Sequence, residues 1–540
     1  MSAGGRWFLL GLLALGATLL VAFSLYAVRP VGSLQPAYGG RYVEALVGAP
    51  ARVNPLFVGF NDADRDLASL VFSGLTRVGE DGMPLPDLAE SWQVSPDGRT
   101  YTFHLRQGVL WHDGAPFTAD DVLLTWDAVR SRSFRGEPTM AEFWRSLGFA
   151  KVDDYSIAVT LAQPYAPFLA EAALGILPRH RLAGVSGDEL WDSPFNRSPV
   201  GTGPFRLRQL TPERALLEAN PSYHLGRPYL AEIEFRFYPD ETAAVASLKR
   251  GETRGLLLGS GTDPKALEGI KGMERLSAPA ASYTLVYLNA GYSPFQDQRV
   301  RQALLYALDK DRLIRNALEG QGVRAEGPIA PGTWANDGSM SPYKYDLAKV
   351  TALLQEAGWR RSGTGPWEKG GQTLSFKLMT NDNPQREAVG REVVRQWREA
   401  GIDVELTVLP SLTLVREFLT PRSYQAALFG WGPGPDPDPY AAWHSSQKDS
   451  TGSNLAAYSN AEMDDILVKA RQTTDPLGRR RLYRDFQLLF AAQLPSLPLY
   501  RAEYSYLIPQ EMGGVSVGVL FWPASRFDQV HRWYIKTTRG

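Results

Sequence analysis

Apolar and polar residues recur along the chain with two periods that replace each other many times. Tyr101, Phe103 and Leu105 alternate with Thr102, His104 and Arg106 in TYTFHLR, which predicts a strand with one buried face. Ser95-Pro-Asp-Gly98 predicts the turn ahead of it. The same period of two runs through YSIAVTL, with Ile157, Val159 and Leu161, and through EIEFRFY, where Ile233, Phe235 and Phe237 oppose Glu232, Glu234 and Arg236. Thr118 followed by Asp121 makes a capping box, and Val122, Trp126 and Val129 then recur along one side of the helix it starts. From Asp297, the run QRVRQALLYALDKDRLI places Val300, Leu304 and Leu308 beside Ala303 and Ala307, a stripe that predicts one amphipathic helix. Alternation at Leu374, Phe376 and Leu378 and again at Val404, Leu406 and Val408 flanks a helical stretch near 391–400, which predicts a βαβ-like unit before residue 410. Strands and helices thus interleave throughout, and the class is α/β.

Three stretches depart from this pattern. WFLLGLLALGATLLVAFSLYAV, from Trp7 to Val28, carries no charged residue and at ~1.5 Å per residue is long enough to cross a ~30 Å hydrocarbon core. It reads as an uncleaved transmembrane anchor. The alternative, a cleaved signal peptide, calls for a shorter apolar run and a small-x-small exit in place of Ser24-Leu25-Tyr26-Ala27. RPVGSLQPAYGG at 29–40 reads as a flexible tether to the folded body. The third stretch is GWGPGPDPDPY, Gly430 to Tyr440, where prolines at 433, 435, 437 and 439 forbid both a helix and a central strand. An ordered loop that carries aromatic and acidic residues is a candidate binding surface.

Composition narrows the function. A chain of 540 residues exceeds one ordinary core and suggests several domains or a multi-lobed body. Lys+Arg 57 against Asp+Glu 58 gives a net charge of -1, which leaves no basic footprint for nucleic acid. The absence of cysteine excludes disulfides, thiolate catalysis, Cys-ligated zinc and an acylated Cys anchor. Gly514-Val-Ser516-Val-Gly518 has the spacing of a nucleophile elbow, which makes a membrane-tethered serine hydrolase using Ser516 the competing reading. The residues after it, Val519 to Pro523, are strand-like and end in a helix breaker where that motif needs a helix. The 6 histidines form no metal-binding spacing, Asp436-Pro-Asp438 lacks the distal Glu of a calcium loop, and no glycine-rich phosphate cradle with its lysine occurs. No catalytic residue, metal or cofactor is expected.

Long ordered blocks carry a resemblance. LVFSGLTRV at 70–78, PDLAESWQVSPDGRTYTFHLRQGVLWHDGAPFTADDV at 86–122, VGTGPFRL at 200–207, NPSYHLGRPYLAEIEF at 220–235, YLNAGYSPFQDQRVRQALLYALDKDRLI at 287–314 and GWGPGPDPDP at 430–439 together resemble the family 5 solute-binding proteins of ABC importers, which include dipeptide-, oligopeptide- and nickel-binding members. The resemblance implies a bilobed three-domain periplasmic-binding-protein-like fold of class II type. Residues 40–78, 196–285 and 496–540 would form domain I, 79–195 domain II and 286–495 domain III. It implies a monomeric extracytoplasmic receptor that closes around a peptide or similar small solute and delivers it to a permease, held at the membrane by residues 7–28. Blocks such as Trp111 to Gly114 and Thr202 to Phe205 are expected to be fold-building turns.

The resemblance also makes the Pro-rich loop the ligand-facing element, with Trp431, Gly434, Asp436, Asp438, Tyr440 and Trp443 as the candidate ligand-binding residues. In peptide-binding relatives an acid in this loop pairs with the ligand's terminal amine, and here Gly434 stands at that position. Asp436 and Asp438 match the later Asp-Pro part, which shapes the loop. Asp436 substitutes as the amine partner if the loop path differs; otherwise Trp431, Tyr440 and Trp443 offer stacking faces, as for an oligosaccharide.

Overall fold

The computed structural model describes residues 34–539. The expected anchor at 7–28 and the first residues of the tether lie outside them. Among the described residues no helix is long and apolar enough to cross a membrane. Within the stretch expected as a tether, Leu34–Ala37 forms an antiparallel ladder with Lys536–Arg539, so the two ends of the folded body are stitched together and the expected tether is shortened.

A 12-stranded sheet runs through the molecule in the order Asp403–Leu409, Ser375–Asn381, Ala426–Trp431, Tyr283–Leu288, Ser496–Pro509, Leu256–Leu258, Arg41–Val47, Glu232–Tyr238, Arg214–Ala219, Phe205–Leu210, with Met273–Pro279 and Gly322–Arg324 also pairing with Ser496–Pro509. The expected βαβ unit is the parallel pair Ser375–Asn381 and Asp403–Leu409, joined by the helix Pro384–Glu399. EIEFRFY lies between Arg41–Val47, parallel, and Arg214–Ala219, antiparallel. A separate four-stranded antiparallel sheet places Thr100–Leu105 between Ala89–Val94 and Ser156–Thr160, with Gly148–Asp153 outside. Its helix, Ala119–Arg130, starts where the capping box predicts: Asp121 returns its carboxylate to the backbone N–H of Thr118 at 2.9 Å.

One expectation is corrected. The stripe from 298 to 314 is not one helix but two, Gln298–Tyr306 and Lys310–Ala317. Asp309 interrupts it by accepting the backbone N–H of Arg312 at 2.9 Å, the work of an N-cap, while the apolar stripe continues across the break into one core.

Buried apolar side chains gather into a core built from residues 42–235 and 506–533 and into two further clusters drawn from 283–500. These are the two lobes. Both ends of the chain return to the first of them, where Arg526 is fully buried, 2.7 Å from Glu44 and 2.5 Å from Asp66. The lobes are joined by neighbouring strand crossings. Ser496–Pro509 is 14 residues long, pairs through its first half with Tyr283–Leu288 in one lobe, and through its second half with Leu256–Leu258 in the other. Beside it the chain passes from Met273–Pro279 to Tyr283–Leu288.

Candidate ligand-binding site

Ala426–Trp431 is held inside the sheet between Ser375–Asn381 and Tyr283–Leu288, so the Pro-rich loop leaves from a fixed point. Four prolines deprive the loop of backbone donors, and its two acids supply the missing order. Asp436 accepts the N–H of Asp438 at 3.1 Å, and Asp438 accepts that of Tyr440 at 3.2 Å. Their remaining capacity goes to arginines. Arg479, on the helix Pro476–Gln493, donates Nη1 and Nη2 to Asp436 at 2.5 and 2.7 Å. Arg471, on Ala461–Gln472, donates Nε and Nη2 to Asp438 at 2.8 and 2.7 Å. Burial pushes Asp436 above the usual carboxylate range, against the pull of Arg479. Burial alone would lower Arg479, but Tyr483 and Asp436 outweigh it and hold the guanidinium above its ordinary range. The fork-to-fork geometry is that of an ion pair.

The aromatic candidates separate. Trp443 is 1% exposed, with Tyr287 stacked at 6.5 Å and Phe490 edge-on at 4.9 Å, so it packs beneath the loop. Tyr440 stacks on His444 at 4.1 Å and carries the Arg471 guanidinium 3.9 Å from its ring centre. Trp431 is half-buried at the end of its strand. Gly434 is exposed, its backbone lies outside the left-handed region, and an added Cβ would meet nothing within 4 Å. Gly430 is different: a Cβ there would lie 2.7 Å from Arg386 Nη2. Arg386 sits 4.7 Å over the Phe429 ring and reaches Asn381 at 3.3 Å, and burial lowers its pKa. It lies outside the lining of the cavity behind the loop, and the glycine that makes room for it was the one signal of it in the sequence.

Behind the loop lies a cavity of about 530 Å³. Its walls come from 55–87, 137–175 and 522–531 in the first lobe, and Pro435 of the loop closes it from the second. The lobes touch around this closure: Ala166 donates to the carbonyl of Arg471 at 2.8 Å, Trp334 to that of Asp81 at 2.9 Å, and a Cβ on Gly82 would lie 2.8 Å from the Pro435 carbonyl. The lining is rich in ionisable groups. Arg65 lies 5.0 Å over Trp522. Asp528 is pushed up to about 8 by burial, against the pull of Arg77, and His531 is pushed down to about 4 by burial. Asp87 is bonded to His224 at 2.5 Å. Glu171, at the end of the short helix Phe168–Glu171, is exposed to the cavity, and the surrounding protein raises it to about 7, with Asp436 adding to the rise. None of these cavity residues stands out by sequence spacing, because they come from separate segments that only the fold brings together.

Ser516 is not an elbow serine. It lies in a loop, its hydroxyl donates to Glu80 at 2.9 Å, and the chain continues into an isolated bridge at Leu520 and a short 3-10 turn, Pro523–Phe527, in place of the helix an elbow requires. His112 and Asp113 lie in the predicted turn, where Trp111 N–H donates to Ala115 at 2.8 Å, and His112 is pushed down to about 4 by burial. Among the described residues no group of three or more His, Asp or Glu is placed to hold a metal ion.

Two α/β lobes, neighbouring strand crossings between them, and a cavity closed by a loop of the second lobe define a bilobed solute receptor of the periplasmic-binding-protein class, class II type. The family model described as bacterial extracellular solute-binding proteins, family 5 Middle matches residues 84–453, and the chain belongs to that family. It is 31% identical over 511 residues to the oligopeptide-binding protein AppA of Bacillus subtilis, covering 93% of this chain and 92% of the relative. The solved structure of that protein in complex with a nonapeptide is similar over 93% of this chain and 100% of its own, with a TM-score of 0.68 and 30% identity. NikZ from Campylobacter jejuni in complex with Ni(L-His) is similar over 92% of this chain and 99% of its own, with a TM-score of 0.69 and 28% identity. The chain is therefore a binding protein and not an enzyme: an extracytoplasmic receptor that delivers its solute to the permease of an ABC importer.

Proposed function

We propose that the solute is a short peptide, held in the cavity behind the Pro-rich loop. The observation that carries this reading is the cavity itself, about 530 Å³, open to solvent and bounded by first-lobe walls and by Pro435 of the opposite lobe. Its volume is within the range of roughly 300–1,000 Å³ of small-ligand sites, and its polar groups are spread around an apolar lining as a peptide backbone with side chains requires. The 31% identical relative is named for oligopeptide binding.

Ligand touching both walls binds the closed arrangement better than the open one, and that difference drives closure about the crossings at 279–283 and 496–509. An affinity of ~1 μM, or about -8.2 kcal/mol, suffices for capture. Of the loop, Pro435 lines the cavity. In this reading Trp431, Gly434 and Tyr440 meet a ligand only where it reaches past that lining, while Asp436, Asp438 and Trp443 set the loop's shape through Arg479, Arg471 and Tyr287. The lobes divide into domain I (40–78, 196–285, 496–540), domain II (79–195) and domain III (286–495), and residues 7–28 anchor the monomeric receptor beside its permease in place of a lipid. The test is mass spectrometry of what the purified chain releases on denaturation, paired with small-angle scattering before and after the released fraction is added back. Released peptides that shrink the radius of gyration are expected; a non-peptide solute, or binding without any contraction, would overturn the reading.

A further inference from the structure

Glu171 faces the cavity from the first lobe and makes no side-chain hydrogen bond or ion pair among the described residues. Its electrostatic surroundings contain Asp436 and Tyr165 and no cation that offsets it. The residue is exposed to the cavity, so water solvates its carboxylate when no solute is bound. A solute that displaces this water leaves the charge uncompensated unless it brings a cation of its own. Three arginines nearby are committed elsewhere, Arg479 to Asp436, Arg471 to Asp438 and Arg65 to the Trp522 face and Asp62. Arg77, on the same cavity, keeps Nε and Nη1 without a hydrogen-bond partner, and its field acts on Asp87 and Asp528 and not on Glu171. The loop that closes the cavity offers no free acid either, since both its aspartates are paired and Gly434 has no side chain.

We infer that Glu171 is the anchor for a positively charged nitrogen of the bound solute, an amino terminus or a basic side chain, which enters the cavity and completes the ion pair that the protein leaves open. The inference rests on the peptide reading for its ligand and on the cavity geometry for its residue. A charge-assisted bond to a carboxylate that the bound solute covers contributes enough to discriminate about tenfold against a neutral analogue.

The full chain and its Glu171→Gln variant are titrated calorimetrically with trialanine, with N-acetyl-trialanine, and with N-acetyl-Ala-Lys-Ala. The wild-type chain is expected to bind one or both cationic probes about tenfold more tightly than N-acetyl-trialanine, and the pattern says whether the terminus or the side chain is read. Glu171→Gln is expected to abolish that preference while its affinity for N-acetyl-trialanine stays as in the wild type and its melting temperature is no lower. A preference that survives in Glu171→Gln, or none in the wild type, overturns the assignment. If the wild type binds no peptide, the peptide reading fails, and millimolar n-butylammonium decides the residue separately. Thermal stabilisation of the wild type but not of Glu171→Gln sustains the cation site, whereas no stabilisation of the wild type overturns it.

Discussion

Asp436 shows how a residue's role depends on partners that are distant in sequence. In GWGPGPDPDPY it is a loop acid beside an aromatic, which suggests a ligand contact. Arg479, 43 positions further on, takes both its oxygens, and nothing in the local pattern announces a helix arriving there. Replacing Asp436 by Ala leaves the Arg479 guanidinium enclosed without its anion, and breaking a buried pair from one side costs about 3–5 kcal/mol. The expected outcome is a fall of that size in the urea-unfolding free energy of the ligand-free chain. Affinity lost in Asp436→Ala would then report a disordered loop as much as a missing contact, so Glu171, which holds nothing in place, is the cleaner position at which to ask about an ammonium. Gly434 was legible as a departure from the peptide-binding pattern, but the carboxylate on the facing wall was not, because EAALGILP around Glu171 carries no motif.

At the scale of elements the periodicities were mostly sufficient: TYTFHLR, EIEFRFY and the βαβ unit lie where alternation put them, since each has one face against a core. The helix from 298 failed as a single element because an apolar stripe records burial and not continuity of hydrogen bonding, and Asp309 caps a second helix without disturbing the stripe. The crossing strand Ser496–Pro509 carries a feature that alternation cannot show. Arg501, 1% exposed, points into the junction, donating Nη2 to the Gly327 carbonyl at 2.9 Å and Nη1 to that of Ala281, with Tyr283 4.9 Å beneath it. Burial pushes it down to about 10. Arg501→Met keeps the apolar stem but strands both carbonyls at the place where the lobes join. A buried acceptor left without its donor costs about 1–3 kcal/mol, and calorimetric unfolding should show the loss as a lowered melting temperature.

For the whole molecule, the ionisable groups enclosed by the lobes set opposing pH dependences. Asp64 and Asp66 are raised to about 6 and Asp528 to about 8, each chiefly by burial, and Glu171, exposed to the cavity, to about 7 by the protein around it, whereas His112 and His531 are lowered to about 4 by burial. The folded acids hold protons that the unfolded chain releases near pH ~4, so they weaken folding as pH rises from there through each folded value. The histidines act the other way, since the unfolded chain protonates them below ~6.5 while the folded one keeps them neutral down to about 4; they strengthen folding as pH rises over that interval. From pH ~4 to ~6 the two sets offset each other. Above ~6.5 the histidines no longer contribute and Glu171 and Asp528 remain, so the melting temperature of the ligand-free chain should fall between pH 6.5 and 8 at fixed ionic strength. Asp528→Asn and Glu171→Gln together should flatten that slope, and a melting temperature that rises over this interval would contradict the assignment. Binding of a cationic probe should run in the opposite sense, strengthening from pH 6 to 8 as Glu171 loses its proton in the field of Asp436 and Tyr165, because only the ionised carboxylate attracts an ammonium.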